Sequence, residues 1–387
     1  MKIETYYKLL VFHVVLAIGI FLFRPLAMVY FLFIISFFSY KIVMTPKKNK
    51  TFYVLFACAY IVGSEVFLRM NGGTFFYEAI KYLVILFCLM GIFSNSFSNN
   101  SIIYLFYILL LVPGVFVAVT EMSFETNIRK AIAFNLSGPI CLGVAAIFSY
   151  KRNIDFKEMQ YILLAFLLPL ISMTVYLILV TPNLQLAIKG TGSNFMTSGG
   201  FGPNQVATVL GIGMFVMAVR FFISKESFFI RLIDLVLFGV LSYRALITFS
   251  RGGVITAIVM ILFFIGLYYL KVNIKTRSKI KYTLLFFLVS IFFIWMFSAM
   301  QTGGFIEKRY ANEDALGREK QDLTTGRSSL VAFEFNEFLN SPFLGIGVGK
   351  VKEERFVETG IVAASHNEVT RILAEHGVLG IFAFLIL

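Results

Sequence analysis

The stretch "LLVFHVVLAIGIFLF" (residues 9–23), followed after Arg24-Pro25 by "LAMVYFLFIISFFSYKIV" (residues 26–43), decides the fold class. Each half approaches the roughly 20 apolar residues that a helix needs to cross about 30 Å of hydrocarbon. The same signal recurs along the chain, giving spans near 52–68, 75–93, 101–119, 131–149, 160–180, 204–223, 230–249, 253–270 and 281–300, with a twelfth beginning after His366. No soluble packing accommodates this composition. Of 387 residues, 59% are hydrophobic and 14% charged, against roughly 45–50% and about 25% in soluble domains. The surplus apolar surface must face lipid, since one core stops growing at about 250–300 residues. The expected fold is an all-α polytopic membrane protein of about 12 transmembrane helices with a large extracytoplasmic loop.

The net charge of +13 excludes little until its distribution is read. No basic stripe with interleaved aromatics lies on a soluble domain, so nucleic acid is not an expected partner. Instead the basic residues cluster in alternate loops: Lys2 and Lys8; Lys41, Lys47, Lys48 and Lys50; Lys151, Arg152 and Lys157; Lys225 and Arg231; Lys271, Lys275, Arg277, Lys279 and Lys281. All fall on one side if every span is real. By the positive-inside rule that side is cytoplasmic, the N-terminus included, and residues 301–365 are extracytoplasmic. Cys58, Cys88 and Cys141 lie in apolar segments without metal-type spacing and read as buried thiols. The first span lacks a signal-peptidase site.

Four blocks divide the chain: N-terminal spans (1–200), a further set of spans (201–300), the outer segment (301–365), and the start of a last span (366–387). The outer segment is too long for a plain connection. A helix is predicted from Arg327 to Asn340, with Leu330, Phe333 and Phe338 as its apolar stripe and Pro342 beyond its end. The last span, with ten apolar residues from Val378 to Leu387, reads as incomplete, and a further span is expected in the native product.

Chemistry-bearing residues gather at the outer face. "ASHNEVTRILAEHGVLG" has Ser365 three residues before Glu368, a capping box that predicts a helix starting at His366. A histidine there stays neutral beside the positive end of the helix dipole and can serve as a general base. One helical face would carry His366, Thr370, Leu373 and Gly377. Arg251, in "TFSRGGVITAIV", sits at a span boundary, where a guanidinium is costly unless it is paired or lines a wet cavity. Arg244 lies seven residues earlier on roughly the same face. Two such forks suit a diphosphate, because each binds phosphate oxygens bidentately and neither loses its proton. Arg327 could close over the same anion. "GGFGPNQVATVLG" puts Pro203 in the first turn of a helix, with Asn204 beside it. "GIGVGK" has the wrong spacing for a phosphate loop. His13 reads as structural, and Glu65 with Arg69 as an i,i+4 ion pair.

Together, the blocks at Pro203-Asn204, Arg251, Arg327 and His366 resemble the O-antigen ligase and polymerase family. The histidine block fits most completely: His366 and Asn367, nine residues, Gly377, two more, then Gly380. The resemblance spans roughly residues 198–380. It implies a glycosyltransferase-C-like membrane enzyme at the outer face of the cytoplasmic membrane. The enzyme would move an undecaprenyl-diphosphate-linked glycan to an acceptor glycan, by inversion, with no cofactor and no metal. Arg251 and Arg327 would hold the diphosphate, joined on physical grounds by Arg244. His366 would activate the acceptor, supported by Asn367, Asn204 and Gly377. Polymerase is favoured over ligase because each surface-polysaccharide system needs its own, and a chain-length regulator is a possible partner. The alternative is a polysaccharide exporter or flippase without chemistry.

Overall fold

The computed structural model describes residues 3–94, 98–123, 125–223, 227–320, 324, 326–360 and 363–387. Lys2 and Lys225, counted above among the basic loop residues, lie outside the described residues, as do the side chains of Lys275 and Lys279. The chain is helical, with no strand among the described residues. In order it forms α1 (Ile3–Leu22), α2 (Leu26–Met44), α3 (Lys47–Met70), α4 (Ala79–Ser94), α5 (Ile103–Leu110), α6 (Val112–Glu121), α7 (Ile128–Ser149), α8 (Phe156–Val180), α9 (Leu184–Ala187), α10 (Pro203–Ile223), α11 (Phe228–Ile247), α12 (Arg251–Lys271), α13 (Ile274–Gln301), α14 (Phe305–Tyr310), α15 (Arg327–Asn340), α16 (Val351–Thr359) and α17 (Glu368–Ile386).

Ten helical stretches among the described residues are long and apolar enough to cross a membrane. The expected count was about twelve, and both shortfalls have physical causes. α4 has only 16 residues. α11 has 20 but carries Arg231, Asp234 and Arg244. Asp234 is fully buried, yet its carboxylate accepts from the Tyr6 hydroxyl at 2.5 Å and from Arg220 at 3.3 Å. An intramembrane acid persists when it is paired in this way. α17, expected from sequence to start at His366 with ten apolar residues from Val378, covers 19 residues with a break at Gly377 and is one of the ten.

The chain divides into two compact units. The first comprises residues 1–38, 55–77 and 154–321; the second comprises 39–54, 78–153 and 322–387. In the first, α8 packs on α1, and α10 packs on α11 and α12. α8 begins at a complete capping box, Asp155 and Glu158. His13 is buried with both ring nitrogens engaged, one to the Leu9 carbonyl at 2.8 Å and one to the Tyr60 hydroxyl at 3.0 Å. Glu65 and Arg69 form the expected ion pair at 2.8 Å. In the second unit α4, α5 and α7 pack together, with α5 and α15 against α17. Tyr107, Leu111, Leu136, Val348 and Ala383 form the core there.

Candidate active site

In the first unit the candidate residues surround the junction between α11 and α12. The expectation that Arg244 and Arg251 share one helical face is corrected, because the helix stops between them. Thr248 caps α11, Phe249 takes a left-handed backbone (φ 57°), and α12 begins at Arg251. A bulky residue at positive φ stores about 1–3 kcal/mol of strain and persists only where its surroundings hold it. Here the Phe249 side chain is buried, and its carbonyl accepts from Arg309 Nε at 2.9 Å. Arg251 Nη1 in turn donates to the Arg309 carbonyl at 3.3 Å. Ser250 leaves the end of α12 uncapped and donates its hydroxyl to Asn204 Oδ1 at 2.7 Å.

Gly253 explains the second glycine of "SRGG": a Cβ there would lie 2.2 Å from the Ala207 carbonyl, so α10 and α12 can meet only over a glycine. Asn204 is exposed and Arg251 half-buried, whereas Arg244 is buried, donating to the Thr197 carbonyl at 2.7 Å. The structure thus brings Asn204 and Arg251 to one junction and turns Arg244 into the fold. Arg309 and Lys320 join that junction, and sequence reasoning missed both. Lys320 donates to Thr191 at 2.8 Å, and burial together with the charges of Arg309 and Arg251 pushes its ammonium below the ordinary range. Like charges held close create a positive field that a nearby anion would relieve.

In the second unit the predicted helix from Arg327 to Asn340 is present with those bounds. Arg327 is its first residue and is exposed. Its inner face is less apolar than expected: Leu330 is buried and Phe333 and Phe338 half-buried, but Glu334 and Glu337 are buried among them. Glu334 is the hub. One oxygen accepts from Arg355 Nη2 at 2.7 Å, the other from the Thr370 hydroxyl at 2.5 Å. A single carboxylate therefore ties α15 to α16 and to the first turn of α17. Arg355, equally buried, also donates to the Ala363 carbonyl at 2.8 Å and lies over the Phe333 ring. An acid inside an apolar stripe was visible in the sequence and could have flagged Glu334; its partners, 21 and 36 residues away, could not.

The start of α17 differs from expectation. Asn367 is the N-cap, its Oδ1 accepting from Val369 N at 3.0 Å, and the helix begins at Glu368. Glu368 turns to Arg371 rather than back to the cap. Asn is at least as good a cap as Ser, and an arginine one turn on competes for the glutamate. His366 therefore precedes the helix, exposed, and shares no helical face with Thr370. Burial, then the charges of Arg327 and Arg355, hold its imidazole below the ordinary value, against an opposing pull from Glu334. The shift has the expected direction, but burial and these charges cause it rather than a position in the first helical turn.

Gly377 breaks α17, with φ 58° and ψ −143°. Val378 N donates to the Pro342 carbonyl at 2.7 Å, and the Ala374 carbonyl it would have used accepts from Ile346 N at 2.9 Å. "SPFLGIGVG" is thus a strand of loop sewn into a helix break. Gly349 N donates to the buried Glu375 carboxylate at 2.9 Å, so this glycine run bonds to the protein itself.

No curated protein and no solved structure matches the chain. A family comparison bears out the resemblance over the stretch that holds Arg244, Arg251, Arg327, His366, Asn367 and Gly377, leaving Asn204 outside it. Residues 235–385 match the family model described as O-Antigen ligase, which supports a multi-pass membrane protein with glycosyltransferase-like function in polysaccharide biosynthesis.

Proposed function

We propose that the protein is an inverting, metal-independent glycosyltransferase that moves a glycan en bloc from undecaprenyl diphosphate to an acceptor saccharide. On this reading it works at the extracytoplasmic face of the cytoplasmic membrane, with the N-terminus cytoplasmic. The observation that carries the proposal is the match of residues 235–385 to the O-Antigen ligase family model, which includes His366, Arg251 and Arg327. A base without a proton and a fixed cation are what transfer from a diphosphate requires.

The acceptor hydroxyl attacks the anomeric carbon of the donor while His366 takes its proton. The new carbon–oxygen bond forms as the bond to the diphosphate oxygen breaks, and the electron pair leaves with the diphosphate. Arg251 and Arg327 receive that charge. Fixed donors where negative charge develops typically contribute about 2.7–4 kcal/mol each. Arg309 and Lys320 add to the field at Arg251. Arg244, being buried, has the role of holding the Thr197 segment and acts on the anion only through space. Asn367 supports His366 by capping α17 next to it, and Asn204 supports Arg251 through Ser250.

Polymerase chemistry is favoured, with a lipid-linked repeat as acceptor. The test is incubation of purified protein with its organism's undecaprenyl-diphosphate oligosaccharide. A ladder of lengthening lipid-linked chains identifies a polymerase. Transfer only after an anchor acceptor is added identifies a ligase. No turnover in either case overturns the proposal and leaves an exporter or flippase.

A further inference from the structure

The second unit holds a cavity of about 770 Å³ to which no role has been assigned. Its size lies within the roughly 300–1,000 Å³ of small-molecule sites. Its walls come from the loop between α6 and α7, the face of α7, the start of α16 and the segment leading to His366. Glu125, Lys130, Phe134, Glu353, Phe356 and Ser365 line it. In the topology expected from the basic loops, residues 120–130 and 301–365 both lie on the extracytoplasmic side.

Three classes of occupant can be weighed against this lining. A diphosphate would meet three carboxylates, Glu125, Glu353 and Glu375, against two lysines, Lys130 and Lys352. A lipid tail would leave the Lys130 ammonium and those carboxylates facing hydrocarbon, which is costly. A sugar fits, because each hydroxyl both donates and accepts. Glu353 is positioned for this. Ser123 N donates to one of its oxygens at 2.9 Å and the Thr126 hydroxyl to the other at 2.5 Å. Those bonds fix the carboxylate, and each oxygen has a further lone-pair direction. Lys130 supplies donors. Phe134 and Phe356 are 45% and 55% exposed and offer flat apolar surface to the carbon–hydrogen face of a pyranose.

We infer that this cavity binds the terminal sugar of the acceptor and delivers its hydroxyl towards His366, whose neighbour Ser365 is part of the wall. The inference rests on the glycosyltransferase reading for its role, and on the cavity alone for its ligand class.

The experiment separates the two. Val357 lines the cavity and is 73% exposed. Val357→Cys in the full chain is labelled with a membrane-impermeant maleimide, with and without free oligosaccharide released by mild acid from the organism's lipid-linked glycan. The oligosaccharide is expected to slow labelling, and Phe356→Ala or Lys130→Ala to remove that protection. In turnover, Phe356→Ala is expected to raise the acceptor KM about tenfold while the donor KM holds. Lys130→Ala, on an exposed side chain, serves if Phe356→Ala does not fold. Unchanged labelling with oligosaccharide, or an acceptor KM within about twofold of the parent in both variants, overturns the inference. Protection of Val357→Cys in a protein that transfers nothing would uphold the sugar site and sink the glycosyltransferase reading.

Discussion

The arginines around the α11–α12 junction and those of the outer segment are held by different partners. Arg244, Arg251 and Arg309 donate to the main-chain carbonyls of Thr197, Arg309 and Phe249. Arg355 and Arg371 donate to the carboxylates of Glu334, Glu368 and Glu375. A carbonyl bond orients a guanidinium without cancelling its charge; a carboxylate bond does both. The first kind of contact suits a residue that must present charge to a ligand. The second suits one that joins pieces of the fold. Arg355 is the clear case of the second kind, since it and Glu334 are both buried and join α15 to α16.

Breaking that comparison starts with the largest effect. His366→Ala is expected to lower kcat/KM at neutral pH by about 10²–10⁴, the usual contribution of a general base. Product ladders give the rate, and thermal unfolding in detergent should be unchanged. Arg251→Ala should cost about 10²–10³ in kcat, comparable to losing one donor at a developing negative charge. Were it to unfold the protein instead, Arg251 would be a structural residue of the α11–α12 junction. Glu334→Ala leaves Arg355 buried without its carboxylate, so a loss of about 3–5 kcal/mol is expected as a lowered unfolding midpoint. Replacing Glu334 and Arg355 together by leucine should recover much of it, since the partnerless charge is then gone.

The smallest effect sharpens the comparison. On the proposed mechanism His366 works as a base while neutral, so activity should be lost as pH falls through its pKa. The Arg327 charge lowers that pKa. Arg327→Gln should therefore raise it, and the acid limb of the kcat/KM profile should move to higher pH. An unmoved limb would mean that Arg327 does not act on His366.

Most of the architecture was legible because lipid imposes length and apolarity that survive without an alignment. α15 was read to the residue, since its stripe and the following Pro342 are local signals. What escaped was set by partners distant in the chain. The break before Arg251 was read from the apolar runs on either side, but its geometry was not: Arg309 donates to the Phe249 carbonyl from 60 residues away, and nothing in "TFSRGG" announces a left-handed phenylalanine. The start of α17 was misread because two local signals competed: Ser365 with Glu368 spells a cap, but Asn367 stands between them and Arg371 claims the glutamate. The cavity beside His366 had no local signature, because its walls come from segments more than 200 residues apart.

The break at Gly377 also bears on how the protein is made. Ile346 N reaches the Ala374 carbonyl and Val378 N reaches the Pro342 carbonyl, so the loop at 342–346 and the helix around 374–378 complete each other's hydrogen bonding. The ribosome produces the loop first. A nascent chain that ends before Ala374 has the glycine segment but no partner for it, and the loop reaches its final path only when the helix arrives to close around it. Assembly of the surroundings of His366 is thereby a late event in biogenesis, tied to insertion of the last helix described.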